Sequence, residues 1–307
     1  MNGMTDASAA SAGAASPPAP VIETRDLVRK FGSQTVLDGV NLAISPGETV
    51  VIMGGSGCGK STLLRHLIGS LRPTSGSIVL LGQDIGTLSE QELDQLRLKF
   101  GILFQSGALF NSMTVFENVA LPLREHTQLD DTTIEIMTKI KLELVGLREH
   151  GNKFPAQISG GMKKRAGLAR ALAMDPQILF YDEPSAGLDP VTSAEIDQLI
   201  LGLTKKLGVT SVVVTHEMDS AFTIADRMAM LDKGVMLKVG TREEFDALRK
   251  LTDAEAAKLS ERDRLIRQFL RGDAKGPITE RRALTNYADD LLGGAPTPAM
   301  AAITPSR

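Results

Sequence analysis

Gly54-Gly55-Ser56-Gly57-Cys58-Gly59-Lys60-Ser61 is the stretch that decides the fold. It fits G-x-x-x-x-G-K-[ST], a loop that cradles phosphates. Glycines let consecutive backbone N–H groups turn inward around an anion without side-chain clashes. Lys60 supplies a point charge, the Ser61 hydroxyl is a ligand for Mg²⁺, and the following helix points its positive end at the same place. The context agrees: Thr49-Val50-Val51-Ile52-Met53 reads as a buried strand before the loop, and Ser61–Leu71 as a helix after it. A chance glycine-rich turn would not need both flanks. Cys58 occupies a free position of the pattern and reads as a small filler rather than a redox switch.

Working outward, Ile178-Leu179-Phe180-Tyr181-Asp182-Glu183 is an apolar strand that ends in two acids. Such a strand buries itself and delivers the acids at its carboxyl edge, where open α/β sheets bind ligands. Taken alone it would be an acidic turn after a core strand. With a phosphate loop on the same chain, Asp182 reads as the holder of Mg²⁺ and Glu183 as the residue that orients or deprotonates the attacking water.

The rest of the chain predicts a largely parallel α/β sheet. Val21–Ile44 alternates short apolar runs with turns, as in a small antiparallel sheet. Ser89 with Glu92 fits a capping box, and so does Thr241 with Glu244. Residues 98–170 carry mostly helical periodicity, broken at Gly101–Phe110 and Gly151–Gly161. Ser211–Val214 is a further strand, after a helix over Thr192–Leu207. Leu265, Ile266, Phe269 and Leu270 make one apolar helical face, closed by Gly272. The expected organisation is a flexible arm over 1–20, a main domain over 21–250 with a helical part over about 98–170, a helical extension over 251–279, and a disordered tail over 280–307.

Composition excludes several classes. Aromatic residues are 4% of the chain and there is no Trp, which argues against a base-stacking surface. The formal charge of -3 gives no basic excess for gripping phosphates of nucleic acid, so no nucleic-acid partner is expected. The single cysteine permits no internal disulfide. Residues 1–20 lack the cationic start and apolar run of a secretory signal. No stretch approaches the roughly 20 continuous apolar residues of a spanning helix. A membrane role would therefore need another chain to cross the bilayer.

Further motifs bring a family into view. Ile158-Ser159-Gly160-Gly161-Met162, at a helix start, resembles the signature of ABC ATPases. Gln105 stands in the position of the Q-loop, Ser185-Ala186-Gly187-Leu188-Asp189 resembles the D-loop, and His216, after Val212-Val213-Val214-Thr215, resembles the switch histidine. With the phosphate loop and the carboxylate pair, these are six motifs in the family's order. The resemblance implies the ABC ATPase fold: an α/β P-loop (RecA-like) core with an antiparallel β subdomain and an α-helical signature subdomain. It implies ATP and Mg²⁺ as cofactors, with Ser61, Gln105 and Asp182 toward the metal and Glu183, His216 and Gln105 as catalytic residues. Gly54, Gly55, Ser56, Gly57, Cys58, Gly59, Lys60, Ser61 and Thr62 would hold the nucleotide. Phe31, where many members place an adenine-stacking Tyr, would stack on the base or simply pack in the sheet. Ser159, Gly160, Gly161 and Met162 would close over ATP held by a second copy, with the Asp189 loop beside them. One phosphate loop per chain therefore implies a head-to-tail dimer. Met162 and Ile158 depart from the usual Gln and Leu without removing Ser159 or the glycines.

The Ser-Gly-Gly-Met form, the stretch Leu103–Thr127, and the segments Ile266–Leu270 and Gly276-Pro277-Ile278 are similar to the Mce/Mla subgroup of phospholipid-transport ATPases. That resemblance covers roughly residues 21–279. It implies a membrane permease, an Mce-domain lipid-binding protein and a small STAS-domain protein as partners, at the cytoplasmic face of the inner membrane. It also makes Phe110, Met113 and Phe116 either a permease contact or internal packing, and gives the Leu265–Leu270 face the option of reaching a neighbouring ATPase subunit. An ABC importer for an amino acid or other small solute shares every ATP motif. A soluble non-transport ABC ATPase fits less well, because such members carry two ATPase domains or long coiled coils, and this chain shows one phosphate loop and no long heptad run.

Overall fold

The computed structural model describes residues 19–283. The arm expected over 1–20 lies outside the described residues except for Ala19 and Pro20, as does the tail expected over 280–307 beyond residue 283. Strands β1 (Ile22–Phe31) and β2 (Gln34–Ile44) pair antiparallel. Leu37, Val40, Leu42 and Ile44 of β2 and Ile22 and Leu27 of β1 are buried, with exposed residues between them, so one face of this pair covers the core. After β3 (Thr49–Met53), whose residues are all buried, the glycine loop leads into α1 (Lys60–Leu67). Strands β4 (Ser75–Leu80) and β5 (Gln83–Asp84) complete a four-stranded sheet in the order β2-β1-β4-β5.

Helix α2 (Glu90–Arg97) starts at the predicted capping box: the Glu92 N–H donates to Ser89 Oγ at 3.3 Å, and the Ser89 N–H donates to Glu92 Oε2 at 2.8 Å. Next comes β6 (Phe100–Leu103), then the helices α3 (Val115–His126), α4 (Asp131–Leu144) and α5 (Gly160–Ala171). Strand β7 (Ile178–Asp182), α6 (Pro190–Leu207), β8 (Thr210–Val214), α7 (Met218–Ile224), β9 (Arg227–Asp232) and β10 (Val235–Thr241) follow. Helices α8 (Arg242–Lys250), α9 (Asp253–Ala256), α10 (Glu261–Arg271) and α11 (Pro277–Ala283) end the described chain. The second sheet runs β10-β9-β3-β8-β7-β6, parallel throughout except for β10 at its edge.

The pleat of this second sheet divides the core in two. Val50, Ile52, Phe180 and Val212 face the antiparallel sheet with Leu63 and Leu67 of α1 and Leu93 and Leu96 of α2. Their neighbours Val51, Met53, Tyr181 and Val213 face the other way, onto Val119 of α3, Leu168 of α5 and Ile196 and Ile200 of α6. A strand buried on both faces has no polar side, which is why these runs read as continuously apolar.

Sequence expectations are refined at three places. The break in helical periodicity expected at Gly101–Phe110 opens with a strand that begins one residue earlier, Phe100–Leu103, and it packs closely: a Cβ on Gly101 would lie 2.1 Å from the Ala171 carbonyl oxygen. Thr241 caps α8 by accepting from the Glu244 N–H at 3.3 Å, but Glu244 turns to Lys238 at 3.2 Å instead of completing the box. The Leu265–Leu270 face packs within its own chain: Ile266 and Leu270 join the core beside Phe245. Apolar area spent on the chain's own core is not available to a neighbouring subunit. Gly272 does end α10, in the left-handed conformation at φ 69°. Ile266 is fully buried, so Ile266→Ala is expected to cost about 2–5 kcal/mol, read as a shifted urea midpoint. A loss below about 0.5 kcal/mol would make α10 an appendage instead.

Candidate active site

The parallel register gathers the motif residues at one edge. Ile52 of β3 pairs with Val214 of β8, Val214 with Asp182 of β7, and Tyr181 with Leu103 of β6. Gly54, His216, Glu183 and Gln105 thus each follow the carboxyl end of adjacent strands within two residues. This edge is where open α/β sheets bind ligands.

The phosphate loop is shaped by close approach. A Cβ on Gly54 would lie 2.1 Å from the Leu231 carbonyl oxygen, and one on Gly59 would lie 2.9 Å from Leu37 Cδ2. Gly59 caps α1 at φ 111°, open to glycine and costly for other residues. The Lys60 ammonium donates to the carbonyls of Gly54 at 2.7 Å and Gly55 at 3.1 Å, which holds it over the loop. Ser56, Gly57 and Ser61 are exposed, and Gly55 and Thr62 half-buried. Cys58 is buried, and burial pushes its thiol up while Lys60 pulls partly back, so it is a poor nucleophile. Phe31 at the end of β1 is 46% exposed, with the Arg29 guanidinium 4.4 Å from its ring centre. One ring face is thus covered by a cation, and the side chain lies outside the sheet core.

At the end of β7, burial pushes the Asp182 carboxyl up, Glu183 adds to this, and Lys164, Arg65 and Lys60 oppose it. Glu183 has φ 50°, left-handed for a residue with a Cβ, and it precedes Pro184. Such a conformation costs about 1–2 kcal/mol. Its N–H donates to the Val214 carbonyl at 2.8 Å, and its carbonyl accepts from Lys164 Nζ at 2.8 Å and from the Ala186 N–H at 3.3 Å. Its carboxylate meets His216 Nδ1 at 2.9 Å and accepts from the His216 N–H at 3.4 Å. The predicted base and the predicted switch residue are therefore direct partners. Ser61, Gln105 and Asp182 offer oxygen donors, the chemistry a hard cation takes.

The signature residues lie at the start of α5. Ser159 Oγ accepts from the Met162 N–H at 3.3 Å, Ser159 and Gly160 are exposed, Gly161 is buried, and Met162 packs on the core. Asp189 caps α6, accepting from the Val191 and Thr192 N–H groups at 3.1 and 3.0 Å, and Thr192 holds its carboxyl below the usual range. Gln105 and Phe104 are exposed just beyond β6. The loop that follows is fastened to α5: a Cβ on Gly167 would lie 2.8 Å from the Gly107 carbonyl oxygen, and Arg170 donates to the carbonyls of Ala108 at 2.8 Å and Gly107 at 3.2 Å. Of the three apolar residues near it, Phe110 is 52% exposed, Met113 is half-buried, and Phe116 packs inside the helical region.

Sequence reading passed over the residues that hold these parts together: Lys164, Arg170 and Asn118. Asn118 is fully buried, accepts from the Phe110 N–H at 2.8 Å, and places Nδ2 within 3.2 Å of the Phe110, Met113 and Thr114 carbonyls. It falls within the Leu103–Thr127 stretch, but nothing there marks its structural task, because its partners are backbone groups.

The family described as ABC transporter matches residues 37–186. The chain is 46% identical over 257 residues to the "Probable ribonucleotide transport ATP-binding protein mkl" of Mycobacterium leprae, covering 84% of this chain and 70% of that protein. It is 39% identical over 272 residues to the "Intermembrane phospholipid transport system ATP-binding protein MlaF" of Haemophilus influenzae, covering 89% of this chain and 98% of the relative. The protein of the same name from Escherichia coli is 39% identical over 277 residues, 90% of this chain and 98% of that one. A dimeric ATP-binding cassette solved in a post-hydrolysis state with ADP and Pi superposes with a TM-score of 0.66 at 33% identity, covering 72% of this chain and 98% of the other. The cbiO1 cassette of Clostridium perfringens superposes with a TM-score of 0.71 at 29% identity, covering 81% and 99%.

Asn118→Ala leaves the Phe110 and Met113 backbone groups without their buried partner. It is expected to destabilise the protein by about 1–3 kcal/mol, measured by chemical denaturation. An unmoved midpoint would mean that other contacts hold the loop.

Proposed function

The chain belongs to the ABC transporter family, and from that membership we propose that it is the ATP-hydrolysing subunit that energises phospholipid transport between the inner and outer bacterial membranes. It works as a head-to-tail dimer at the cytoplasmic face of the inner membrane, bound to a permease, with an Mce-domain lipid-binding protein and a small STAS-domain protein as further partners. No helix among the described residues is long and apolar enough to cross a membrane, in keeping with a separate permease. The ATPase domain is taken as residues 21–250 with its helical part within about 98–170, and 251–279 as an extension.

The observation that carries the ATPase reading is the shared strand edge, where the phosphate loop, the Asp182–Glu183 pair and His216 lie on adjacent strands. ATP binds with its phosphates over the loop amides from Gly54 to Thr62 and Lys60, and its base on Phe31. Ser61, Asp182 and Gln105 would hold Mg²⁺, whose charge offsets that of the phosphate oxygens. Glu183 orients the attacking water, and His216 fixes the carboxylate while facing the terminal phosphate. Ser159, Gly160 and Gly161 of the second copy present N–H groups at a helix start, a ready anion site, with Met162 and the Asp189 loop beside them. Most of the rate enhancement comes from placement and charge, since phosphoryl transfer asks little covalent chemistry of the protein.

The phospholipid reading is supported by the Ser-Gly-Gly-Met signature and by a match that spans 98% of relatives named for that transport. The relative at 46% identity carries a ribonucleotide name, and the chain covers 70% of it. This favours a second reading, uptake or export of a small solute through the same ATP cycle. Purifying the tagged chain in mild detergent separates them: a polytopic subunit, an Mce-domain protein and bound phospholipid are expected. A solute-binding protein or retained ribonucleotide in their place would overturn the lipid assignment and leave the ATP site standing.

Two substitutions test the ATP site. Lys60→Ala is expected to weaken ATP binding, measured by nucleotide titration. Glu183→Gln is expected to keep ATP binding, persist as an ATP-closed dimer on a sizing column, and turn over about 10²- to 10⁴-fold more slowly. A Glu183→Gln protein with wild-type turnover would remove the role given to Glu183.

A further inference from the structure

Lys164 lies in the second turn of α5 and is 5% exposed. A lysine buried this deeply is costly unless its charge and its donors are matched. Burial pulls its ammonium below the usual lysine range, and the charges of Glu183, Asp182 and Glu217 offset part of that. Its hydrogen bond, however, goes to a backbone group, the Glu183 carbonyl at 2.8 Å.

That carbonyl belongs to the one site residue held at positive φ outside the glycines. A strained peptide persists only where its surroundings over-determine it. Of the groups that hold Glu183, Val214, Ala186 and His216 sit on the β7 and β8 ends or the loops that leave them. Lys164 alone arrives from the helical region, on the helix whose first residues are the signature.

We propose that Lys164 is a positioning residue that ties the Glu183 peptide of one nucleotide site to the signature helix that closes over the other. This rests on the roles given above to Glu183 and to Ser159–Gly161. Ser159–Gly161 and Lys164 occupy the first two turns of one helix, so α5 cannot turn at its start without moving Lys164. When α5 seats on the partner's nucleotide, Lys164 carries the seating to the Glu183 peptide and sets where its carboxylate stands. Each site then becomes competent for hydrolysis as the opposite site fills, and ATP hydrolysis by the dimer is positively cooperative.

The test is steady-state ATPase kinetics on the full chain in complex with its membrane subunit. Wild type is expected to show a Hill coefficient above 1. Lys164→Met keeps the length and loses charge and donors. It is expected to lower kcat about tenfold, leave the KM for ATP within about twofold, and bring the Hill coefficient to about 1. Lys164→Arg, which keeps charge and donors, is expected to recover cooperativity. A purely structural lysine would lower the amount of folded protein and leave kcat per folded molecule and the Hill coefficient unchanged. That result, or a non-cooperative wild type, overturns the proposal. If Lys164→Met does not fold, Lys164→Gln is read in the same way: unchanged kcat and cooperativity overturn the proposal, and lowered values support it. Wild-type turnover by Glu183→Gln would instead sink the underlying role of Glu183, which keeps the two failures apart.

Discussion

The hydrogen-bonded register of β3, β8, β7 and β6 is the constraint on which the site depends. Each strand is short, and most of their residues are fully buried, so the strands cannot slip without turning apolar side chains from one half of the core to the other. Because the four strands end level, the residues that follow them are delivered together without long loops. Lys60, Gln105, the Asp182–Glu183 pair and His216 are far apart in sequence and share an edge because Ile52, Val214, Asp182 and Tyr181 are fixed in one ladder. The two half-cores add rigidity from opposite sides, one tying the sheet to the antiparallel strands and the other to the helices.

Much of this was legible because the decisive segments obey local rules. Thr49–Met53, Ile178–Asp182 and Thr210–Val214 are short, mostly β-branched or aromatic runs with no polar face, and they read as buried strands. The phosphate loop announces itself through glycines that the chain needs on steric grounds. Strand β9 has no such signature. Arg227-Met-Ala-Met-Leu-Asp is built of residues that favour helices, and it is a strand because β3 and β10 pair with it on either side. Strand β6 hides for a related reason, being four residues long and set beside a helical region. The apolar face of α10 was visible, but which surface it covers is a tertiary fact that periodicity does not carry.

The same division runs through the site. Residues whose chemistry acts on a ligand sit in motifs of fixed spacing. Residues that hold those motifs in place bond to backbone carbonyls, as Lys164, Arg170 and Asn118 do, and a carbonyl leaves no mark in the sequence. Asp189 shows the converse. It stands out as part of a motif, and in the structure it also caps α6, a local task that would select for Asp without any nucleotide.

The helical region meets the sheet edge through contacts of unequal stiffness. Between the Gln105 loop and α5 the contact is backbone to backbone, since Gly107 and Gly167 approach more closely than any Cβ allows and Arg170 closes two further bonds. The glycine approach leaves no room there for a side chain, so the loop is seated directly on the α5 backbone. Between α5 and the Glu183 peptide the hydrogen bond comes from one long, buried side chain, Lys164, at 2.8 Å. The two contacts divide the work: the glycine approach fixes the Gln105 loop to α5, and Lys164 fixes the Glu183 peptide to the same helix.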